Sequence, residues 1–554
     1  MTDRIVRARM SEENNVNALT QPVDPPVPVD DLIEVWGICG VNGYEDEVNH
    51  TIGINRLART DELLLQTCTK LNTAKYKKSS RHRLIYNCRF PNLEWFRTLF
   101  EKSSKETIRA IRFRTNNDEG RYDHTLLHEI CHDFFRKRFE GSTRDLKIDS
   151  RVEILRDLMK AGWNESEVNL PSIAPDGTNN TALHLAGITD IALVNVLLDQ
   201  QYMRLVNVNI RNNWNNTVLN NAIHHDDIQL VERLCELGDR INLDSPDEEG
   251  SIPLFTSIYF DEAIFDELLK HRTRYNINRQ DNDGDTILHR VVKNNSGYAL
   301  DKIRKLSGTN LNMGIKDNEG NTALHAAVVS ENKLWTVKGL LDYQDKFNIN
   351  ETNDMGDTAL HIACRHHHSI VKVLCLSTID MQIKNNDGRI ALLIAAQSGT
   401  KEIMEILLQH KDRYDINSVD NMMKTALHLA MHNTYDRIPD IVRLLCEHGI
   451  NMDLKDSNGN NALVFAVRQY VPAAVQILLE YSDKFDINSQ NNEGNSALHM
   501  ACANDKLDIV QQLCQMPNIN INLLNNAGET GYAIASRKGY PEICNYLTEL
   551  SESE

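Results

Sequence analysis

The chain has no Cys-x-x-Cys pair, and its eleven cysteines are scattered and odd in number. That excludes a secreted disulfide framework and argues for a reducing compartment. Long apolar runs are also missing. Ala391–Ala396 is typical of the longest, whereas a membrane span needs ~20 apolar residues. The first ten residues carry three arginines and no apolar stretch, so they do not read as a signal peptide. Aromatics are few, at 6%. What is present is ordinary for a soluble chain: 554 residues, 41% hydrophobic and 25% charged. At ~150 residues per domain, three or four compact domains would be the first expectation.

Charge is uneven. Residues 1–115 hold 18 Lys/Arg against 15 Asp/Glu, while the whole chain holds 60 against 78. Residues 1–53 are acidic, 54–115 basic, and the remainder strongly acidic. An acidic body disfavours nucleic acid and anionic membranes and favours proteins with basic segments, mainly through on-rate and selectivity.

An internal repeat overrides the domain arithmetic. Asp281-Asn-Asp-Gly-Asp-Thr-Ile-Leu-His289 returns as Asp317-Asn-Glu-Gly-Asn-Thr-Ala-Leu-His325 and as Asn353-Asp-Met-Gly-Asp-Thr-Ala-Leu-His361. Further copies end at His428 and His499, with weaker ones between. The turn position falls at Gly177, Asn215, Gly250, Gly284, Gly320, Gly356, Gly388, Met423, Gly459, Gly494 and Gly528, spaced about 35 residues apart.

Each unit has a physical reading. Asp/Asn-x-x-Gly is turn chemistry: the Asx side chain closes the turn and Gly accepts positive φ. Thr286, Thr322, Thr358 and Thr425 stand where a helix wants its N-cap. A short helix with small residues follows, then an amphipathic one with apolar residues at i, i+3 and i+4, as in Ile441/Leu444/Leu445. An Ile-Asn or similar pair closes the unit. One unit cannot bury its apolar faces alone; stacked copies can. The expected fold is an all-α repeat solenoid of helix-turn-helix units with β-hairpin fingers.

These residues resemble the ankyrin repeat family, whose Thr-Pro-Leu-His appears here mostly as Thr-Ala-Leu-His, as at Thr322–His325. The resemblance covers roughly 120–550. It implies a concave binding face built from fingers and first helices, and a protein-binding role without catalysis. Four regions are expected: an acidic, partly disordered lead (1–53); a basic helical region with a degenerate repeat or cap (54–118); a degenerate repeat with an insertion at 136–150 (119–175); and an array of about eleven repeats (176–554). Arg112–Gly120 reads as the lead-in to a hairpin.

A longer period overlies the first. Arg274-Tyr275, Lys346-Phe347, Arg413-Tyr414 and Lys484-Phe485 precede Asn-Ile-Asn or Asp-Ile-Asn in every second unit. Either each aromatic packs beneath its helix end, or the pairs form a ridge for an extended partner.

Some segments imitate other chemistry. His128-Glu129-x-x-His132 matches a zinc-peptidase helix, with two histidines on one face and a glutamate base. His128 also fills the Leu-His position of a repeat, in Thr125-Leu-Leu-His128, and no third ligand is identifiable. Arg365-His366-His367-His368 looks like a metal tract but falls at the turn between two helices. Gly37–Gly43 is Gly-rich without the dinucleotide spacing. Lys75–Arg83 is a basic run that would suit nuclear import or an anion. Asp244–Ser251 resembles a phosphorylatable acidic loop and coincides with a finger.

The sequence therefore indicates a non-enzymatic scaffold or adaptor with a regulatory or signalling role, with no cofactor, no resident metal, no nucleic-acid partner and no membrane span. It is placed in the cytoplasm, with access to the nucleus as an extension. Contacts are expected at the finger residues flanking the turn: Asp283, Asp285, Glu319, Asn321, Met355, Asp357, Arg389, Lys424, Asn460, Glu493 and Asn495. Alternative readings are an inhibitor of Rel-type transcription factors, a ubiquitin-ligase substrate adaptor (no recruitment box is evident), and, remotely, a zinc metallopeptidase. Partner identity, pathway and oligomeric state are not encoded legibly.

Overall fold

The computed structural model describes residues 32–36, 49–55, 105, 109, 112–117, 120–131 and 148–553, with gaps at 173–177, 295–297, 366, 399 and 433–436. Most of the lead at 1–53, the basic run at 75–83 and most of the 136–150 insertion lie outside these residues. The chain divides into two units, Met1–Asn242 and Leu243–Glu554.

In the first unit, strands Leu32–Trp36, Asn49–Asn55, Arg112–Asn117 and Gly120–Thr125 pair antiparallel in chain order. Val35 faces Ile52, Ile52 faces Phe113, and Phe113 faces His124. The last two strands form the hairpin expected at 112–120. Arg112–Asn117 is thus extended at the end of a stretch read as helical; its alternating Arg-Phe-Arg-Thr suits a pleated strand. Helices Leu126–Cys131, Ile148–Met159, Glu165–Val168, Ala182–Thr189, Ile191–Leu197, Val218–His224 and Ile228–Cys235 follow.

The second unit is a run of nine helix pairs among the described residues, from Pro253–Ser257 with Glu262–Lys270 to Gly531–Lys538 with Pro541–Ser553. The first helix of a pair is short and buried nearly all round. Ala323, Leu324, His325, Ala326 and Ala327 are all buried. Small side chains let neighbouring first helices approach. The second helix buries one stripe: Ile441, Val442 and Leu445 are inside while Arg443 and Glu447 are out. Each fully buried Ile, Val or Leu contributes on the order of 1.5–3 kcal/mol. Because each stripe closes only against the adjacent pair, that stabilisation requires stacking.

Cys364, Cys375, Cys446 and Cys502 belong to this core. Burial pushes the Cys375 thiol up to about 11, and those of Cys446 and Cys502 up to about 12. They are protonated, apolar fillers with little nucleophilic character. Among the described residues, no helix is long and apolar enough to cross a membrane.

The longer period has a packing explanation. Tyr275, Tyr414 and Phe485 are buried, and the tyrosine hydroxyls donate to the carbonyls of Leu268 and Leu407 at 3.1 and 3.0 Å. Lys346 Nζ donates to Ser307 O at 2.8 Å, and Arg413 donates to Cys375 O at 2.6 Å and to Ser377 and Ile379 carbonyls. Ser307 and Cys375 end the second helices of the preceding pairs. The cations thus satisfy orphan carbonyls at the negative end of a helix dipole. The exposed ridge is not formed: the aromatics face inward.

Candidate protein-binding surface

Three periodic ties hold the fingers and first helices in register. The first is the histidine. In the first helix of a typical unit, the backbone N–H of Thr322 donates to His325 Nδ1 at 3.1 Å, and Thr322 Oγ1 lies 2.8 Å from the same nitrogen. Nδ1 is therefore an acceptor, and Nε2 carries the proton. Nε2–H donates to Asp357 O, in the next finger, at 3.0 Å. His289, His361, His428 and His499 do the same to Asn321, Arg389, Asn460 and Glu529. Burial lowers the pKa of each, and in the first unit it pulls His184 down to about 4. These imidazoles are neutral struts.

The same geometry answers the peptidase reading. His128 Nδ1 lies 3.1 Å from Thr125 N and 2.7 Å from its Oγ1, while Nε2 lies 2.9 Å from Leu170 O. Both ring nitrogens are engaged, so zinc would have to displace these bonds. The Glu129 side chain and His132 lie outside the described residues. In the histidine tract, His367 Nε2 donates to Val329 O at 3.0 Å, and His366 lies outside them.

The second tie is the finger ladder. Asp281 Oδ1 accepts from the N–H of Asp283 and Asp285 at 3.0 and 2.9 Å, closing the Asx turn. Adjacent tips then bond: Asn318 N donates to Asp283 O at 3.2 Å, Asn386 N to Met355 O at 3.1 Å, and Asn526 N to Glu493 O at 3.1 Å. Asparagine amides double the ladder, as Asn318 Nδ2 does to Asn282 O at 2.9 Å. Gly284 is required twice. Its φ is 78°, and a Cβ there would lie 2.6 Å from Asn318 N. Met423 takes the same turn at φ 58°, and the following finger offers Ser457 in place of the asparagine.

The third tie explains the closing Ile-Asn. Asn278 Oδ1 accepts from Asn312 N at 2.7 Å, Asn417 from Asn451 at 2.8 Å, and Asn488 from Asn520 at 2.8 Å.

On this frame the expected contact residues fall into two sets. Those before the turn glycine point outward: Asp283, Glu319, Met355 and Glu493 are exposed. Their stations elsewhere hold Asp387, Met422 and Asn458, also exposed, which a uniform reading of the turn should have included. Those after the turn face the helices. Asp285, Asp357 and Asn460 are buried; Asn321, Arg389, Lys424 and Asn495 are half-buried. Several of them also accept from the next finger: Asn321 from Asn353, Asp357 from Asn385, and Asn495 from Asn525, at 3.0, 2.7 and 2.9 Å.

The post-turn residue has a recurring partner eight positions on, at the end of the first helix. Asp285 meets Lys293 at 2.5 Å, Asp357 meets Arg365 at 2.6 Å, and Glu529 meets Arg537 at 2.7 Å. Arg389 meets Gln397 at 2.8 Å, and Lys424 meets His432 at 3.3 Å. Motif reading missed the partners because their types vary; the constant spacing was the available signal. A hollow of about 150 Å³ between Lys293, Asp317, Glu319 and Lys333 is small beside the ~300 Å³ of ordinary ligand pockets. The surface is built for contacts along its length.

Comparison with known proteins agrees with this architecture. The ankyrin repeat pattern matches in overlapping copies from residue 254 to 553. The human transient receptor potential cation channel subfamily A member 1 is 27% identical over 207 residues, covering 36% of this chain and 18% of that protein. Dog inversin is 26% identical over 184 residues, covering 32% and 17%. The mouse B-cell lymphoma 3 protein homolog is 26% identical over 161 residues, covering 28% and 35%. The crystal structure of the ankyrin repeat domain of Bcl-3, described as a unique member of the IkappaB protein family, aligns with a TM-score of 0.38 at 26% identity, covering 42% of this chain and all of that one. The chain matches under a fifth of the length of the first two relatives. The repeats, their period and their internal bonding agree with the pattern match over more than half of the sequence: the chain belongs to the ankyrin repeat family.

Proposed function

We propose that this chain is a regulatory or signalling adaptor that holds protein partners on its fingertips and the adjoining first-helix ends. Ankyrin repeats are protein-interaction modules, and one observation supports this placement of the contacts. The bonded frame repeats while the exposed tips change chemistry, from Asp283 and Glu319 through Met355 and Met422 to Glu493. The tip side chains touch the frame only through exposed bonds, such as Glu319 accepting from Asn321 and Glu493 from Asn495, both at 3.0 Å, so specificity can vary at little cost to folding. No catalytic step is assigned, and the setting proposed is the reducing cytoplasm. The test is capture of partners by the tagged full chain at moderate salt. Alanine at Asp283, Glu319, Met355 and Glu493 together should leave helicity intact and abolish capture; retained capture would refute the placement.

A second reading, inhibition of Rel-type transcription factors, is favoured by the acidic body, which suits a basic target segment. A basic transcription-factor segment, recovered stoichiometrically and released by salt, would support it. Ligase components would make the chain a substrate adaptor instead.

A further inference from the structure

Along the array, three of the eleven units pair an acid after the turn with a base eight positions on, Asp285/Lys293, Asp357/Arg365 and Glu529/Arg537, and five, such as Asn321/Val329 and Asn495/Ala503, carry neither an acid nor Lys/Arg there. Three consecutive units, Arg389/Gln397, Lys424/His432 and Asn460/Arg468, supply a base with no acid at either position. Lys424 Nζ donates to His432 Nε2 at 3.3 Å and sits 5.5 Å from the centre of the Phe465 ring. His432 stacks edge-on against the same ring at 5.6 Å. Phe465 is buried and forms the floor. Arg468 lies one turn further along that helix, exposed. Exposed Met422 and Met423 stand on the finger above.

The neighbouring acids engage one member of this cluster, Arg389, and leave Lys424 and Arg468. Arg389 lies 3.5 Å from Asp420 and 3.7 Å from Asp387. The Asp420 carboxylate already accepts from the N–H of Met422 and Lys424, at 2.9 Å each. Asp456 is engaged in the same way by Asn458 and Asn460. Among the described residues, Lys424 and Arg468 have no carboxylate within 4.0 Å. Burial, Lys424 and Arg389 together lower the His432 pKa. His432 is thus the neutral acceptor for Lys424, and an anion seated here would meet the two bases that have no carboxylate partner.

We propose that the finger-and-helix surface at Lys424 and Arg468, beside His432, floored by Phe465 and edged by Met422 and Met423, binds an acidic peptide segment of the protein partner. Aspartate or glutamate side chains meet the bases, and interspersed apolar residues meet the methionines. This rests on the adaptor reading above and gives its partner a chemistry at one site. It also runs against the bulk charge: an acidic chain carries a local receptor for acid.

The test uses the full chain and two labelled peptides, one alternating Glu and Leu, the other Gln and Leu, read by fluorescence anisotropy. The Glu peptide should bind, weaken with added salt, and lose about tenfold or more in affinity with Lys424→Glu. Lys424→Met should give a smaller loss. Lys401→Glu, on the second helix Lys401–Leu408, should change nothing, and far-UV circular dichroism should be the same for all. No binding of the Glu peptide, equal binding of the Gln peptide, indifference to Lys424→Glu, or tighter binding of a single-stranded oligonucleotide at these residues would each overturn the proposal. The adaptor reading is scored separately: capture that depends on the tip residues but not on Lys424 leaves it standing while this inference falls.

Discussion

Asp357/Arg365 and Lys424/His432 occupy the same two stations of the same kind of unit, two units apart. In the first, a buried carboxylate meets an arginine at 2.6 Å. In the second, a lysine meets a histidine at 3.3 Å over an aromatic ring. The backbone frame is alike in both: a positive-φ turn, a threonine cap, and a histidine strut at 3.1–3.2 Å from its cap N–H. The contrast separates what the repeat needs from what it merely allows. The strut and ladder are required for stacking. The paired stations accept different chemistry, and a chain with a net charge of −18 has placed an unbalanced base at one of them.

The largest effect should come from the frame. His325→Ala removes the acceptor for Thr322 N–H and the donor to Asp357 O, both in buried surroundings. A loss of about 2–4 kcal/mol is expected in denaturant unfolding. The same struts set the acid response. Folded-state burial depresses their pKa values below the unfolded 6.5, to about 4 for His184. The unfolded chain therefore binds more protons between those limits. Stability is fully present above pH ~6.5 and falls as pH drops towards ~4. Unfolding midpoints measured across that window should decline steeply; a flat profile would contradict neutral struts.

Next comes the turn. Gly284→Ala forces a Cβ to within 2.6 Å of Asn318 N at φ 78°, and should cost about 1–3 kcal/mol. Met423→Gly is the reciprocal change. It relieves a left-handed methionine and should raise stability by up to about 1 kcal/mol. The paired stations follow. Arg365→Met strands the Asp357 carboxylate; the arginine is 45% exposed, so the cost is discounted to about 1 kcal/mol. Lys424→Met removes a half-buried cation that has no carboxylate within 4.0 Å among the described residues and keeps an apolar stem over Phe465, and should be neutral or slightly stabilising. Smallest of all is Arg443→Ala. Its Glu480 partner is as exposed as the arginine itself, and no measurable change in the unfolding midpoint is expected.

Much of the frame was legible in the sequence because it recurs as identity. Asp-x-x-Gly, Thr-x-Leu-His and Ile-Asn are each tied to one backbone requirement, so the same residues return every 35 or so positions. The stations were not legible because they recur as geometry. Asp285 with Lys293 and Arg389 with Gln397 share a spacing of eight and no chemistry. The post-turn residue also lies outside the helix that carries its partner, so helical i, i+4 reasoning never joins them. Treating both flanks of each turn glycine alike concealed a second distinction: Glu319 faces solvent, whereas Asp357 lies among the helices. The basic–aromatic period was visible but ambiguous. Only the hydroxyl of Tyr414 on Leu407 O and the guanidinium of Arg413 on Cys375 O turn it into a helix-end device.

The most direct test of the separation between frame and station is the urea midpoint of Arg365→Met beside that of Lys424→Met, in the full chain. A fall for the first, with no fall or a rise for the second, is the expected result. Equal falls would mean that both stations belong to the frame, and that the unbalanced bases at Lys424 are structural.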